Sequence, residues 1–190
     1  MIKIGIIIGS VRPGRVGEVV AKWVYDIAKR RSDAAFELID LADFHLPIMD
    51  EPIPPAAGKY SKPYTKVWAE KIASLDAFVF VTPEYHHGVP GALKNAIDYL
   101  YAEWNNKVAG FVSYGSAGGV RAVEQLRLVM AELQVATIRA QVFFSLLSEF
   151  ENFHVFKPAA RKEEAVNTLI DQLVAWGVAL KTVREKPGRA

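Results

Sequence analysis

Two hydrophobic rhythms alternate along the chain. Short apolar runs predict strands at Lys3–Ile8, Phe36–Asp40, Ala77–Thr82, Lys107–Ser113 and Thr137–Phe143. Apolar positions spaced three and four apart predict helices at Val16–Arg31, Tyr64–Ser74, Ala92–Tyr101, Val120–Glu132 and Lys162–Val183. Some strands are nearly unbroken, as in Phe78-Val79-Phe80-Val81, the pattern of a strand covered on both faces. Regular alternation of the two element types predicts an α/β sandwich of three layers around a five-stranded parallel sheet. With a phosphate-type loop after the first strand, the expected strand order is 2-1-3-4-5. The expected organisation is one domain over residues 1–184 and a frayed basic tail over 185–190.

One stretch breaks the rhythm. Leu41–Pro63 carries Pro47, Pro52, Pro54, Pro55 and Pro63, together with Asp50 and Glu51. Loops longer than about 12–15 residues in a compact domain are usually functional or mobile. Three readings stay open for it: a rigid surface crossover, a lid, or a subunit contact.

Composition narrows the chemistry. The 190 residues are half hydrophobic, under a quarter charged, and contain no cysteine. Without cysteine there is no disulfide, thiolate metal site, iron–sulfur cluster or thiol redox centre, so redox chemistry would need a bound cofactor. No run approaches the roughly 18–20 apolar residues of a membrane span, and the start Met1-Ile2-Lys3-Ile4 reads as a strand rather than a leader. No membrane association and a cytoplasmic location are expected. The formal charge of +2 gives no mandate for nucleic acid binding.

Candidate chemistry collects in three loops that a parallel sheet delivers to one edge. After the first strand, Gly9-Ser10-Val11-Arg12-Pro13-Gly14-Arg15-Val16-Gly17 opens a helix. Backbone N–H groups at a helix start, a serine hydroxyl and two guanidinium forks suit phosphate oxygens. After the third strand comes Thr82-Pro83-Glu84-Tyr85-His86-His87-Gly88-Val89-Pro90-Gly91. Pro83 fixes its own φ, Gly88 permits a positive one, and such a loop can hold a flat heterocycle by its backbone. After the fourth strand, Ser113-Tyr114-Gly115-Ser116-Ala117-Gly118-Gly119 allows a ligand close to the main chain. His86 and His87 lack a supporting carboxylate at ligand spacing, so no metal site is expected. Glu84 reads either as a general base or as an acceptor that fixes backbone. Lys94 and Asn95 are candidate braces for these loops, Lys94 and Asp98 can pair at i, i+4, and Arg121 and Arg127 are candidate anion contacts. His45 and His154 read as structural or surface residues.

Together the three loops resemble the NADPH-dependent FMN reductase family of flavodoxin-like proteins. Its Gly-Ser-x-Arg phosphate loop is matched by Gly9-Ser10-Val11-Arg12, and its Pro-Glu-Tyr-Asn signature by Pro83-Glu84-Tyr85-His86. The signature continues through Pro90 and Leu93-Lys94-Asn95-Ala96-Ile97-Asp98, and the later Gly-rich turn is matched by Gly115, Gly118, Gly119 and Arg121. The resemblance implies an FMN phosphate at Ser10, Arg12, Arg15, Val16 and Gly17. It implies the isoalloxazine ring along Pro83, Glu84, Tyr85, His86 and Gly88, and its pyrimidine end at Tyr114, Gly115, Gly118 and Gly119. His86 stands where the family usually has Asn.

The resemblance also implies an activity. NADPH or NADH delivers hydride to N5 of FMN and leaves, and a small-molecule acceptor is then reduced: a quinone, an azo compound, a metal oxyanion or free flavin. The chemistry is the cofactor's, with no catalytic side chain required. A flavodoxin-type electron carrier, usually strongly acidic with a Thr/Ser-rich phosphate loop, and a flavin-binding regulatory protein are the alternatives. A Rossmann dehydrogenase is disfavoured because Gly-x-Gly-x-x-Gly is missing. A homodimer or homotetramer is implied. Tyr99, Tyr101 and Trp104 read equally as interface anchors or walls of a neighbouring subunit's flavin site, or as core, and Trp23, Trp68 and Trp176 as core.

Overall fold

A computed structural model describes residues 1–185. The tail expected beyond the domain therefore lies, over residues 186–190, outside the described residues. Five parallel strands run β1 (Ile2–Ile8), β2 (Ala34–Asp40), β3 (Ala77–Pro83), β4 (Val108–Gly115) and β5 (Ala136–Ser145). They pair in the order β2-β1-β3-β4-β5, as the pattern predicts. The helices are α1 (Gly17–Ala28), α2 (Pro63–Ala73), α3 (Gly91–Asp98), α4 (Val120–Glu132) and α5 (Arg161–Arg184).

The period of two within each strand sorts the core into two layers. Ile4, Ile6 and Ile8 of β1, with Val79 and Val81 of β3, face α1 and α5. Ile7, Phe78 and Phe80 face α2, α3 and α4. Because both faces are covered, apolar runs replace alternation.

Trp68 and Trp104 belong to the second layer. Trp104 is fully buried against Phe78, its ring 4.9 Å away, and donates its indole N–H to the Ile97 carbonyl at 3.2 Å. Tyr99 is buried as well. Trp104 and Tyr99 are thus core residues rather than interface anchors, and Tyr101 is half-buried beside them. Trp23 is half-buried, edge-on to Phe144. Trp176 departs from expectation: it lies on α5 but is 49% exposed, because Gly177, the next residue, is the one that faces Ile2 of the sheet.

The Pro-rich stretch is a crossover between β2 and α2 that is hydrogen-bonded to α3 and to the start of α2. It holds two short 3-10 turns, Leu41–Phe44 and Pro55–Ala57. Asn95 of α3 accepts from the Met49 N–H at 2.9 Å and donates to the Pro47 carbonyl at 2.7 Å. Glu51 accepts from the N–H groups of Ser61 and Lys62 at the start of α2. Asn95 therefore braces this crossover, while Lys94 pairs with Asp98 on the same helix.

The sequence pattern gives no warning of one further element. After β5 the chain forms a small antiparallel hairpin, β6 (Phe150–Glu151) and β7 (Val155–Phe156), before entering α5.

Candidate functional site

The loops following β1, β3 and β4 meet at the carboxyl edge of the sheet, where the neighbouring crossovers leave β1 in opposite directions. They enclose a cavity of about 240 Å³. Arg12, Arg15 and Val16 line it from the first loop, and Pro83, Glu84 and Tyr85 from the second. Tyr114 and Gly115 close it from β4.

The first loop turns through Arg12–Arg15, with the Arg15 N–H bonded to the Arg12 carbonyl at 3.1 Å and Gly14 at φ 70°. It then enters α1 one residue later than expected: Val16 is the N-cap, and no side chain caps the helix. Its first N–H groups are thus left for a ligand or for water. Ser10 is buried under the loop, its hydroxyl 3.4 Å from that of Tyr114. A Cβ on Gly17 would sit 2.6 Å from the same Tyr114 hydroxyl, so only glycine lets helix and strand approach this closely. Burial pushes the Tyr114 phenol up to about 12, which keeps it a neutral donor.

The two arginines have different surroundings. Arg15 is largely buried and paired with Asp40 and Glu18, both at 2.5 Å. Its Nε is buried with no hydrogen-bond partner among the described residues. Arg12 is exposed, reaches only the Pro13 carbonyl at 3.2 Å, and makes no ion pair among the described residues. The charge still open to a phosphate is therefore that of Arg12.

The second loop is a tight turn. Tyr85 and Gly88 exchange both backbone hydrogen bonds at 2.9 Å, with His86 at φ 49° and His87 at φ 69°. The positive φ expected of Gly88 falls instead on the two histidines, which are exposed. A two-residue hairpin turn with both central φ values positive favours Asn-Gly, so backbone conformation alone explains an Asn where this chain has His86.

Glu84 is an acceptor that fixes backbone. Its carboxylate takes the Arg121 backbone N–H at 3.2 Å and the Arg121 Nε at 2.5 Å, at the start of α4. Burial works against its ionisation, yet the Arg121 guanidinium and the helix N–H groups hold the carboxyl below its usual range. It has no lone role as a base. Arg127 is also accounted for, on the Ile138 carbonyl at 2.8 Å and over the Phe111 ring at 4.8 Å.

The third loop needs its glycines: Gly118 and Gly119 both lie at φ 74°, and a Cβ on Gly119 would be 2.9 Å from backbone atoms of Tyr114. Gly118 accepts the Ser113 hydroxyl at 2.7 Å, and Gly119 is the N-cap of α4. Ser10, Gly17, Gly118 and Gly119 thus shape the site from beneath, while His86 and Gly88 form the turn beside it.

Sequence reasoning missed one wall. Leu146, Phe153 and His154, from the segment after β5, also line the cavity. The only advance signal was His154, which reads in sequence as a structural or surface residue. A separate hollow of about 360 Å³ lies across Val11, between Leu46 and Ala92. It is mostly aliphatic and lacks the convergent donors of the first, so the 240 Å³ cavity is the candidate site.

An open doubly wound sheet with an uncapped first helix and a cationic loop at its switch point is the architecture of the flavodoxin-like class, and its loop edge suits a phosphorylated ligand. Residues 2–147 match the model of the NADPH-dependent FMN reductase family, and the chain belongs to that family. It is 43% identical over 155 residues to an NAD(P)H-dependent FMN reductase of Nectria sp, covering 76% of this chain and 77% of that one. It is 30% identical over 149 residues to an NAD(P)H:quinone oxidoreductase of Solanum tuberosum, covering 76% and 75%. Among solved structures it superposes on FerB, a flavoenzyme NAD(P)H:(acceptor) oxidoreductase of Paracoccus denitrificans, with a TM-score of 0.72. That match has 18% identity and covers 94% of this chain and 98% of that one.

Proposed function

We propose that this chain is an FMN-dependent oxidoreductase that carries hydride from NADPH or NADH to a small-molecule acceptor, quinones foremost. The observation that carries the reading is the uncapped start of α1 beside Arg12, which makes no ion pair among the described residues, opening into one cavity with the turn after β3. The donor set fits FMN: N–H groups and Arg12 for the phosphate, backbone of Pro83–His86 for the ring, and the α4 start for its pyrimidine edge. Arg15 braces the loop through Asp40, and its buried Nε, without a partner among the described residues, is a further donor.

FMN bound there would supply the hydride-accepting N5. The protein's own part is to anchor, orient and exclude. Ser10 and Tyr114 fix the floor. Glu84 ties the ring-side turn to the start of α4 by accepting the Arg121 N–H, and so fixes where the two loops would hold the ring. Quinone acceptors are supported by the relatives' names. Azo compounds, metal oxyanions and free flavin are further candidates from the resemblance, as are a homodimer or homotetramer and a cytoplasmic setting.

The test is the visible spectrum of the purified protein with added FMN, followed by anaerobic NADPH or NADH. Flavin bands should shift on binding and bleach on reduction, with quinone restoring them. Flavin that binds but resists both nicotinamides would indicate the carrier or regulatory alternative. No perturbation on adding FMN would remove the flavin reading altogether.

A further inference from the structure

We infer that Phe153, at the tip of the β6–β7 hairpin, is a cofactor-contacting residue, an aromatic clasp on the wall of the site formed after β5. Seven non-glycine residues among those described have positive φ, and six of them are His, Asn or Gln. Phe153, at φ 62°, is the exception. A polar side chain can hydrogen-bond locally in the left-handed region, whereas phenylalanine gains nothing there and bears the steric cost. The preceding residue, Asn152 at φ 51°, is at home in such a turn, and glycine is the expected follower. Backbone strain held against preference points to a use for the side chain.

Core packing is not that use, since Phe153 is 57% exposed. Its side lies on the cavity that also takes Arg12 and Tyr85. The tip is held firmly from below. Phe150 packs on Tyr114 and Phe156 with ring centres 6.3 and 5.0 Å apart, and Phe156 meets Phe144 edge-on at 4.9 Å. The Glu149 carboxylate accepts from the Ser145 N–H at 3.0 Å, and its carbonyl from the Lys157 N–H at 2.8 Å. Tyr114 stands under both the hairpin and Ser10 of the phosphate loop, so clasp and anchor share one post. Residues 150–156 lie beyond the 2–147 matched to the family model.

The inference rests on the FMN reading, and Phe153→Gly separates the two. Flavin-free protein is titrated with FMN by fluorescence quenching, and its melting temperature without FMN is measured by circular dichroism. Phe153→Gly should weaken FMN binding about tenfold while the flavin-free protein melts at the same or a higher temperature. Phe153→Tyr should keep the wild-type affinity. If wild-type protein does not bind FMN, the functional reading fails and the clasp with it. If wild type binds and Phe153→Gly binds equally well, the clasp alone is overturned. Weaker binding with a lower melting temperature would make Phe153 a structural residue and also overturn it.

Discussion

Arg12 and Arg15 stand three residues apart in one loop and look alike in sequence, yet their surroundings assign them different work. Arg15 is committed to Asp40 and Glu18, and Arg12 to no carboxylate among the described residues. Arg12→Ala should therefore cost FMN affinity by about 1.5–3 kcal/mol, the worth of a hydrogen bond to a charged group, and leave the melting temperature of the flavin-free protein unchanged. Arg15→Ala should lower that temperature, because it strands a half-buried Asp40. Titration and thermal melts on both variants check the division. The neighbouring turn makes a second residue-scale prediction. His86 and His87 occupy left-handed backbone that Asn and Gly tolerate better. The double change His86→Asn, His87→Gly should stabilise the fold by about 1 kcal/mol and leave FMN bound, read as a higher denaturation midpoint. Loss of FMN binding would mean that the imidazoles themselves hold the ligand.

At the scale of elements, the strands were legible because burial on both faces writes unbroken apolar runs, as in β3. The loops were legible because glycine, proline and arginine have few other reasons to cluster. The β6–β7 hairpin was not legible. Its strands are two residues long, too short for a period, and Phe153 occupies the turn position where glycine would have announced it. Glu84 was legible as a residue but not as a link, because its partner Arg121 is contributed by another element. That link has a pH signature. The folded Glu84 carboxyl sits below its ordinary value, so its contribution is complete above the ordinary carboxylate range and is lost as pH falls through the folded value. Glu84→Gln should lower stability by about 1 kcal/mol at neutral pH, a modest figure because Arg121 is 44% exposed. The difference from wild type should shrink as the pH is lowered toward 3, in melts run across that range. A constant difference would show that the charge of Glu84 contributes nothing.

At the scale of the molecule, the sheet divides two cores, and what each helix-end aromatic does depends on which core claims it. In sequence Trp104 closes an amphipathic helix and serves equally as an interface anchor or as filling, since spacing says which face is apolar but not what covers it. The fold decides for filling: the ring sits among Phe78, Phe80 and Trp68, and its indole N–H is satisfied within the chain. Trp104→Ala should accordingly cost about 3–5 kcal/mol, the penalty for emptying a large aromatic site in a packed interior. Because the lost contacts lie within one chain, the denaturant midpoint should drop by an amount independent of protein concentration. The size of the folded variant in solution should match that of wild type. An interface anchor would behave otherwise: its removal would spare the fold, shift the assembly toward smaller species, and have an effect that weakens on dilution. Paired denaturation curves at two protein concentrations, with sizing at each, distinguish a residue that holds the second core together from one that joins two chains.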